Sequence, residues 1–149
     1  MSTSHYLVEI NHNFANAYYN LGNILKDLGK LKDAEFSYQK AIELEPKSTT
    51  SIMNRWKLIF EQRKFDLALK DADSCNTKQS RACALETLYA LGRIDEIYKR
   101  IERTSKLDDE NIRIGYMQNL FTGLISTEKN INKDLLEFIK KYNELQSQE

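Results

Sequence analysis

One stretch constrains this chain more than any other. It runs from Ala15 to Pro46, ANAYYNLGNILKDLGKLKDAEFSYQKAIELEP, and it reads as two short amphipathic helices hinged at Gly29. Tyr18, Leu21, Leu25 and Leu28 recur at i, i+3, i+7 and i+10, and Leu31, Ala34, Tyr38 and Ala41 repeat that spacing on the second helix. Neither stripe can be buried by its own helix. Gly22, Ala34 and Ala41 are small enough for two helix backbones to approach closely, and Pro46 stops the second helix because it cannot continue one.

With large and small residues at fixed places, Ala15–Pro46 resembles a tetratricopeptide repeat (TPR), a helix–turn–helix unit of about 34 residues. The family's signature places fall on Tyr18, Leu21, Gly22, Leu25, Ala34, Tyr38, Ala41 and Pro46, and each carries the expected type of residue. The resemblance implies an all-α solenoid of TPR-type helix–turn–helix units that acts as a binding scaffold without naming the partner.

The remainder of the chain fits one TPR-like helical repeat domain over 1–149. Residues 4–13, SHYLVEINHN, overlay Tyr38–Lys47 with His12 on Pro46, so 1–13 reads as the remnant of a preceding half-repeat, and Asn13 as the N-cap of the first full one. Repeat 1 then spans 15–48. Repeat 2, 49–77, is expected to form helices at Thr50–Gln62 and Phe65–Asp73, with Arg55 and Trp56 where the first has Leu21 and Gly22. The indole must push the neighbouring helix away or swing out of the seam, as filling it unadjusted costs about 1–3 kcal/mol.

Repeat 3, 78–109, comes after a shortened junction at Ser74–Thr77, with helices at Gln79–Ala90 and Ile94–Ser105 hinged at Gly92, and Ile97 and Thr104 in place of small alanines. Residues 110–149 are read as a pair of C-terminal capping helices, Glu110–Ile125 behind an Asp108-Asp109 cap and Lys133–Gln146.

Composition narrows the function. Lys+Arg and Asp+Glu are both 22, so no net field draws the chain to nucleic acid or anionic lipid. No apolar run reaches membrane-spanning length and no secretory leader is visible, which points to a cytoplasmic protein. Cys75 and Cys83 have no metal-ligand spacing and read as reduced thiols. The only histidines, His5 and His12, lie in the entry segment, and no phosphate loop or metal cluster accompanies them. The reading is therefore not an enzyme, with no cofactor and no metal.

In the TPR family the first helices of successive repeats line a concave face. Carried onto this sequence, that face takes Asn16, Tyr19, Asn20, Asn23 and Lys26 from the first unit, Met53, Asn54, Lys57 and Phe60 from the second, and Gln79, Cys83, Glu86 and Tyr89 from the third. Asn20 and Asn54 occupy the same repeat place. A carboxamide both donates and accepts, so such a ladder suits the backbone of an extended peptide. Ordinary exposed polarity explains the same asparagines, and inter-helix packing explains Tyr19, Phe60 and Trp56.

A chaperone-tail carboxylate clamp, carried over to Tyr19, Asn23, Asn54, Gln79 and Cys83, keeps its two asparagines and none of its cations, which argues against that function. The asparagine repetition is similar instead to peptide-gripping TPR arrays that precede some glycosyltransferases. Asp71–Ile114 also resembles bacterial TPR leaders that continue into iron/2-oxoglutarate oxygenase-like domains, although the HxD…H triad is absent here. The partner expected is a protein or peptide, with no nucleic acid and no membrane. Alternatives are an adaptor or targeting fragment of a larger enzyme, and a structural protein that self-associates through its N-terminal repeat.

Overall fold

The computed structural model describes residues 3–105 and Glu137; the expected helices at Glu110–Ile125 and Lys133–Gln146 lie outside the described residues. The described chain is helical without strands: α1 (Thr3–Asp27), α2 (Leu31–Leu44), α3 (Thr49–Glu61), α4 (Phe65–Asp73), α5 (Lys78–Ala90) and α6 (Ile94–Ser105). It divides into two units, Met1–Cys75 with α1–α4, and Asn76–Glu149 with α5 and α6.

Three hairpins close with the same backbone turn. In the first, Gly29 at φ 77° donates its N–H to Lys26 O and Lys30 donates to Leu25 O, the paired bonds of a Schellman cap. Arg63 and Lys64 donate to Phe60 O and Ile59 O in the second, and Gly92 and Arg93 to Tyr89 O and Leu88 O in the third. The left-handed position goes to Gly29, Arg63 and Gly92 in turn. Arg63, at φ 61°, accepts a conformation that side chains disfavour, and its guanidinium lies 5.6 Å from the centre of the Phe65 ring. The step from Arg63 to Gly92 is shorter than the step from Gly29 to Arg63, and the cause is local. Helix α4 has 9 residues where α2 has 14.

Helix starts reflect local chemistry. Ser48 caps α3 by accepting from Ser51 N, and Thr77 and Ser80 form a reciprocal capping box on α5, with bonds of 3.0 and 2.9 Å. Helix α1 departs from expectation. It passes through Asn13 without a break for 25 residues, so Asn13 is not an N-cap and His5 and His12 stand on a continuous helix. His12 stands at the place held by Pro46 in the overlay, and unlike proline it supplies the N–H a helix needs. Its ring bonds Glu45 at the end of α2 and, through Nε2, the Asn16 amide at 3.1 Å.

The first unit's core is built on small-against-large contacts. Ala34, Tyr38 and Leu58 are almost fully buried, with Tyr19 and Leu25 packed around them. Gly22 lies against the Tyr38 ring, where an added Cβ would meet Cε1 at 2.6 Å. In the next repeat Trp56 takes the place of Gly22 and is itself buried. The indole has not swung out to solvent, and the second repeat has Ala72, also buried, at the place of Tyr38. The bulk has moved from one helix of the hairpin to the other. Arg55, at the place of Leu21, forms a two-pronged ion pair with the buried Asp71, at the place of Ser37, through bonds of 2.8 and 2.5 Å.

Three leucines expected in the core are exposed: Leu21, Leu28 and Leu31. Gly22 faces α2, and Leu21, one residue earlier, projects about 100° away round the helix. In the second unit, Leu85, Leu88, Ile97 and Ile101 are the largest fully buried side chains among the described residues.

Candidate functional site

The residues singled out on α1 and α3 meet within the first unit through two tyrosines. Asn54 Nδ2 on α3 donates to Tyr19 Oη on α1 at 2.9 Å, and Tyr38 Oη on α2 donates to Asn23 Oδ1 on α1 at 2.6 Å. The two tyrosine rings are tilted, with centroids 6.2 Å apart. Three helices are thus joined by one polar and aromatic chain. Burial, with smaller contributions from Tyr19 and Asp27, pushes the Tyr38 hydroxyl up to about 12, so it remains a donor across the neutral range.

Around this chain the side chains differ in availability. Asn16 is exposed and bonds His12, whereas Asn20 is exposed and makes no side-chain hydrogen bond among the described residues. Lys26 is half-buried and Lys57 is exposed. Phe60 is half-buried between Trp56 and Phe65, at centroid distances of 5.0 and 5.2 Å. Met53 and Cys83, expected on a groove, are buried. Their apolar side chains serve the interior instead.

Gln79, Glu86 and Tyr89 belong to the second unit. Gln79 is exposed, and Glu86 and Tyr89 are half-buried; burial raises the Glu86 carboxyl above the usual carboxylate range. Cys75 and Cys83 are both free thiols, and burial pushes the Cys75 thiol up. Among the described residues no group of three or more His, Cys, Asp or Glu side chains is placed to hold a metal ion.

Sequence reasoning missed a second feature of the first unit. A cleft of about 300 Å³ opens between α2, α3 and α4, lined by Glu35, Gln39, Arg55, Ile59, Leu67, Lys70 and Asp71. The Arg55–Asp71 pair spends most of its charge internally, while Lys64 holds Glu35 at 3.3 Å. The signal was present in the register: opposite charges at two places that are apolar and small in the first repeat.

The family model for the tetratricopeptide repeat matches residues 15–48. Two solved structures share the fold. A crystal structure of YrrB, described as a TPR protein with an unusual peptide-binding site, is 18% identical, with 83% of this chain and 68% of that chain covered and a TM-score of 0.53. The MamA RS-1 ArsTM double mutant is also 18% identical, with 91% and 77% covered and a TM-score of 0.57. No curated protein matches the chain. Identities of this size speak for the all-α, TPR-type solenoid and for nothing finer, and the likeness to oxygenase leaders gains no support from them.

Proposed function

We propose that this tetratricopeptide-repeat protein is a non-catalytic interaction scaffold that holds an extended peptide or protein segment along the face shared by α1 and α3. The carrying observation is the hydrogen-bonding capacity left on two amides. Asn23 spends its carbonyl on Tyr38 and keeps both N–H donors; Asn54 spends one N–H on Tyr19 and keeps its carbonyl. Between them they offer a donor and an acceptor, the complement of one peptide unit. Asn20, exposed and unengaged, supplies a further contact of either kind.

Other observations agree with an adaptor. A structure of the same fold, YrrB, is described as having a peptide-binding site. Equal numbers of acidic and basic residues favour recognition through amides and shape over recognition of phosphate or lipid, so nucleic acid and membrane are not the partners proposed. Two free cysteines suit a reducing compartment, the cytoplasm. No described helix is long and apolar enough to cross a membrane.

The test uses a peptide selected on the wild-type protein from a random display library, with affinity measured by calorimetry. Asn20→Ala, Asn23→Ala and Asn54→Ala together should weaken binding by roughly tenfold or more, at about 1 kcal/mol for each lost bond, with helicity retained. Unchanged affinity in a folded triple variant would discard the groove.

A further inference from the structure

Helix α1 presents an apolar seam that α2 does not use. Leu7, Ile10, Phe14, Ala17, Leu21 and Ile24, continued by Leu28 just past the helix end, succeed one another at alternating intervals of three and four residues. That is the roughly 3.5-residue period of a two-helix coiled-coil seam, sustained over three heptads and about 32 Å of helix. Each large side chain on it is exposed, from Leu21 at 43% to Leu28 at 65%. The contact with α2 lies elsewhere on the helix, at Ala15 and Gly22, which are buried.

We infer that this seam is an interface for a second copy of the same chain, with the two α1 helices running antiparallel. Three observations commit the occupant. Antiparallel pairing about the point between Ala15 and Asn16 sets Phe14 against the partner's Ala17, Ile10 against the partner's Leu21 and Leu7 against the partner's Ile24. The layers from Leu7 to Ile24 are thereby filled, and the one small residue meets the one aromatic, while Leu28 caps the end of the seam beside the partner's Thr3. A parallel pair would stack Phe14 on Phe14 and leave a gap between two alanines.

The flanks also match themselves. The same register brings Asn13 beside the partner's Asn20, amide to amide, and Tyr6 beside the partner's Asp27, hydroxyl to carboxylate. Asp27 is the sole charged residue among the positions bordering the seam (Ser4, Asn11, Tyr18, Leu25; Tyr6, Asn13, Asn20, Asp27), so two copies meet without like-charge repulsion. The area is adequate as well. Seven large side chains, with Tyr6 included, are each about half exposed. They offer on the order of 700 Å² per copy, near the ~800 Å² per partner of a standard interface. A two-fold axis closes such a pair and prevents open-ended growth.

The experiment is sedimentation of the full chain at concentrations from low to high micromolar. The expected result is a monomer–dimer equilibrium. Ile10→Glu and Leu21→Lys alter exposed positions, and circular dichroism should show both variants folded. Ile10→Glu by itself places a lone carboxylate against leucine, and Leu21→Lys a lone ammonium against isoleucine, so each should dimerise roughly tenfold or more weakly than wild type. In an antiparallel pair the two altered positions face each other. Mixing the two variants should therefore restore a mixed dimer at least about tenfold tighter than either variant forms alone. A wild-type chain that stays monomeric, or single variants that assemble like wild type, would overturn the interface. A mixture no tighter than its components would overturn the antiparallel register.

Discussion

The hairpins α1–α2 and α3–α4 are successive repeats that close with the same backbone turn, yet they join their helices by opposite means. In the first, a glycine lets a tyrosine ring lie on the opposing backbone, and the neighbouring leucine is left outside. In the second, a tryptophan fills the space and an alanine makes room, while an arginine in the leucine's place is bound to a buried aspartate. The repeat specifies a total volume at the seam and not which helix provides it. Cores tolerate exchanges that conserve volume far better than changes on one side.

Changing one side at a time breaks the equivalence. The largest effect is expected for Trp56→Ala, which removes a buried ring and should destabilise the protein by about 3–5 kcal/mol in denaturant titration. Trp56→Gly combined with Ala72→Tyr rebuilds the first hairpin's arrangement within the second and should recover much of that loss. No recovery would show that the exchange between helices is not what balances the seam.

Gly22→Ala should act in the first hairpin with a smaller effect. The new Cβ would meet the buried Tyr38 ring at 2.6 Å, an overpacking cost of about 1–3 kcal/mol reduced by ~1 kcal/mol of gained helix propensity. A stabilised Gly22→Ala variant would mean that the ring yields freely. Alanine in place of Trp56 therefore harms by deficit and alanine in place of Gly22 by excess.

The smallest effect is expected for Tyr38→Phe, about 0.5–1 kcal/mol at neutral pH through the lost bond to Asn23. Its pH dependence is diagnostic. Because the hydroxyl titrates at about 12 in the folded chain against 10.0 ordinarily, the folded state holds its proton longer than the unfolded state. This contribution is complete below about pH 10 and is lost as pH rises towards about 12. The phenylalanine variant should lack that alkaline loss. A parent and variant that decline in parallel through this range would remove Tyr38 as its source.

Much of the fold was legible because punctuation and periodicity agree. Helices α3 to α6 begin and end within a residue of where Gly92 and the apolar spacing place them. Helix α1 was not legible as one piece, since an overlay on the Pro46 region imports a stop that His12 does not enforce. The left-handed backbone of the second turn was not legible, because it falls on Arg63, a residue type that rarely adopts positive φ. Leu21, Leu28 and Leu31 expose a limit of pattern reading: periodicity reports that a face is apolar, but what covers it depends on neighbours along the stack. At the candidate site the asparagine spacing was readable in advance. Which half of each amide is already engaged depended on Tyr19 and Tyr38 and needed the packed helices.

Helix packing in the first unit is most extensive between consecutive elements, α1 on α2, α2 on α3 and α3 on α4. Chains whose contacts are so local in sequence form them without closing long loops, and they fold quickly for their size. Synthesis runs in the same direction. The α1–α2 hairpin has both of its helices once Leu44 has been made, and each later helix finds its docking surface already waiting. Order of emergence and order of contact largely coincide, so the nascent chain seldom holds one half of a contact for longer than the next helix takes to arrive.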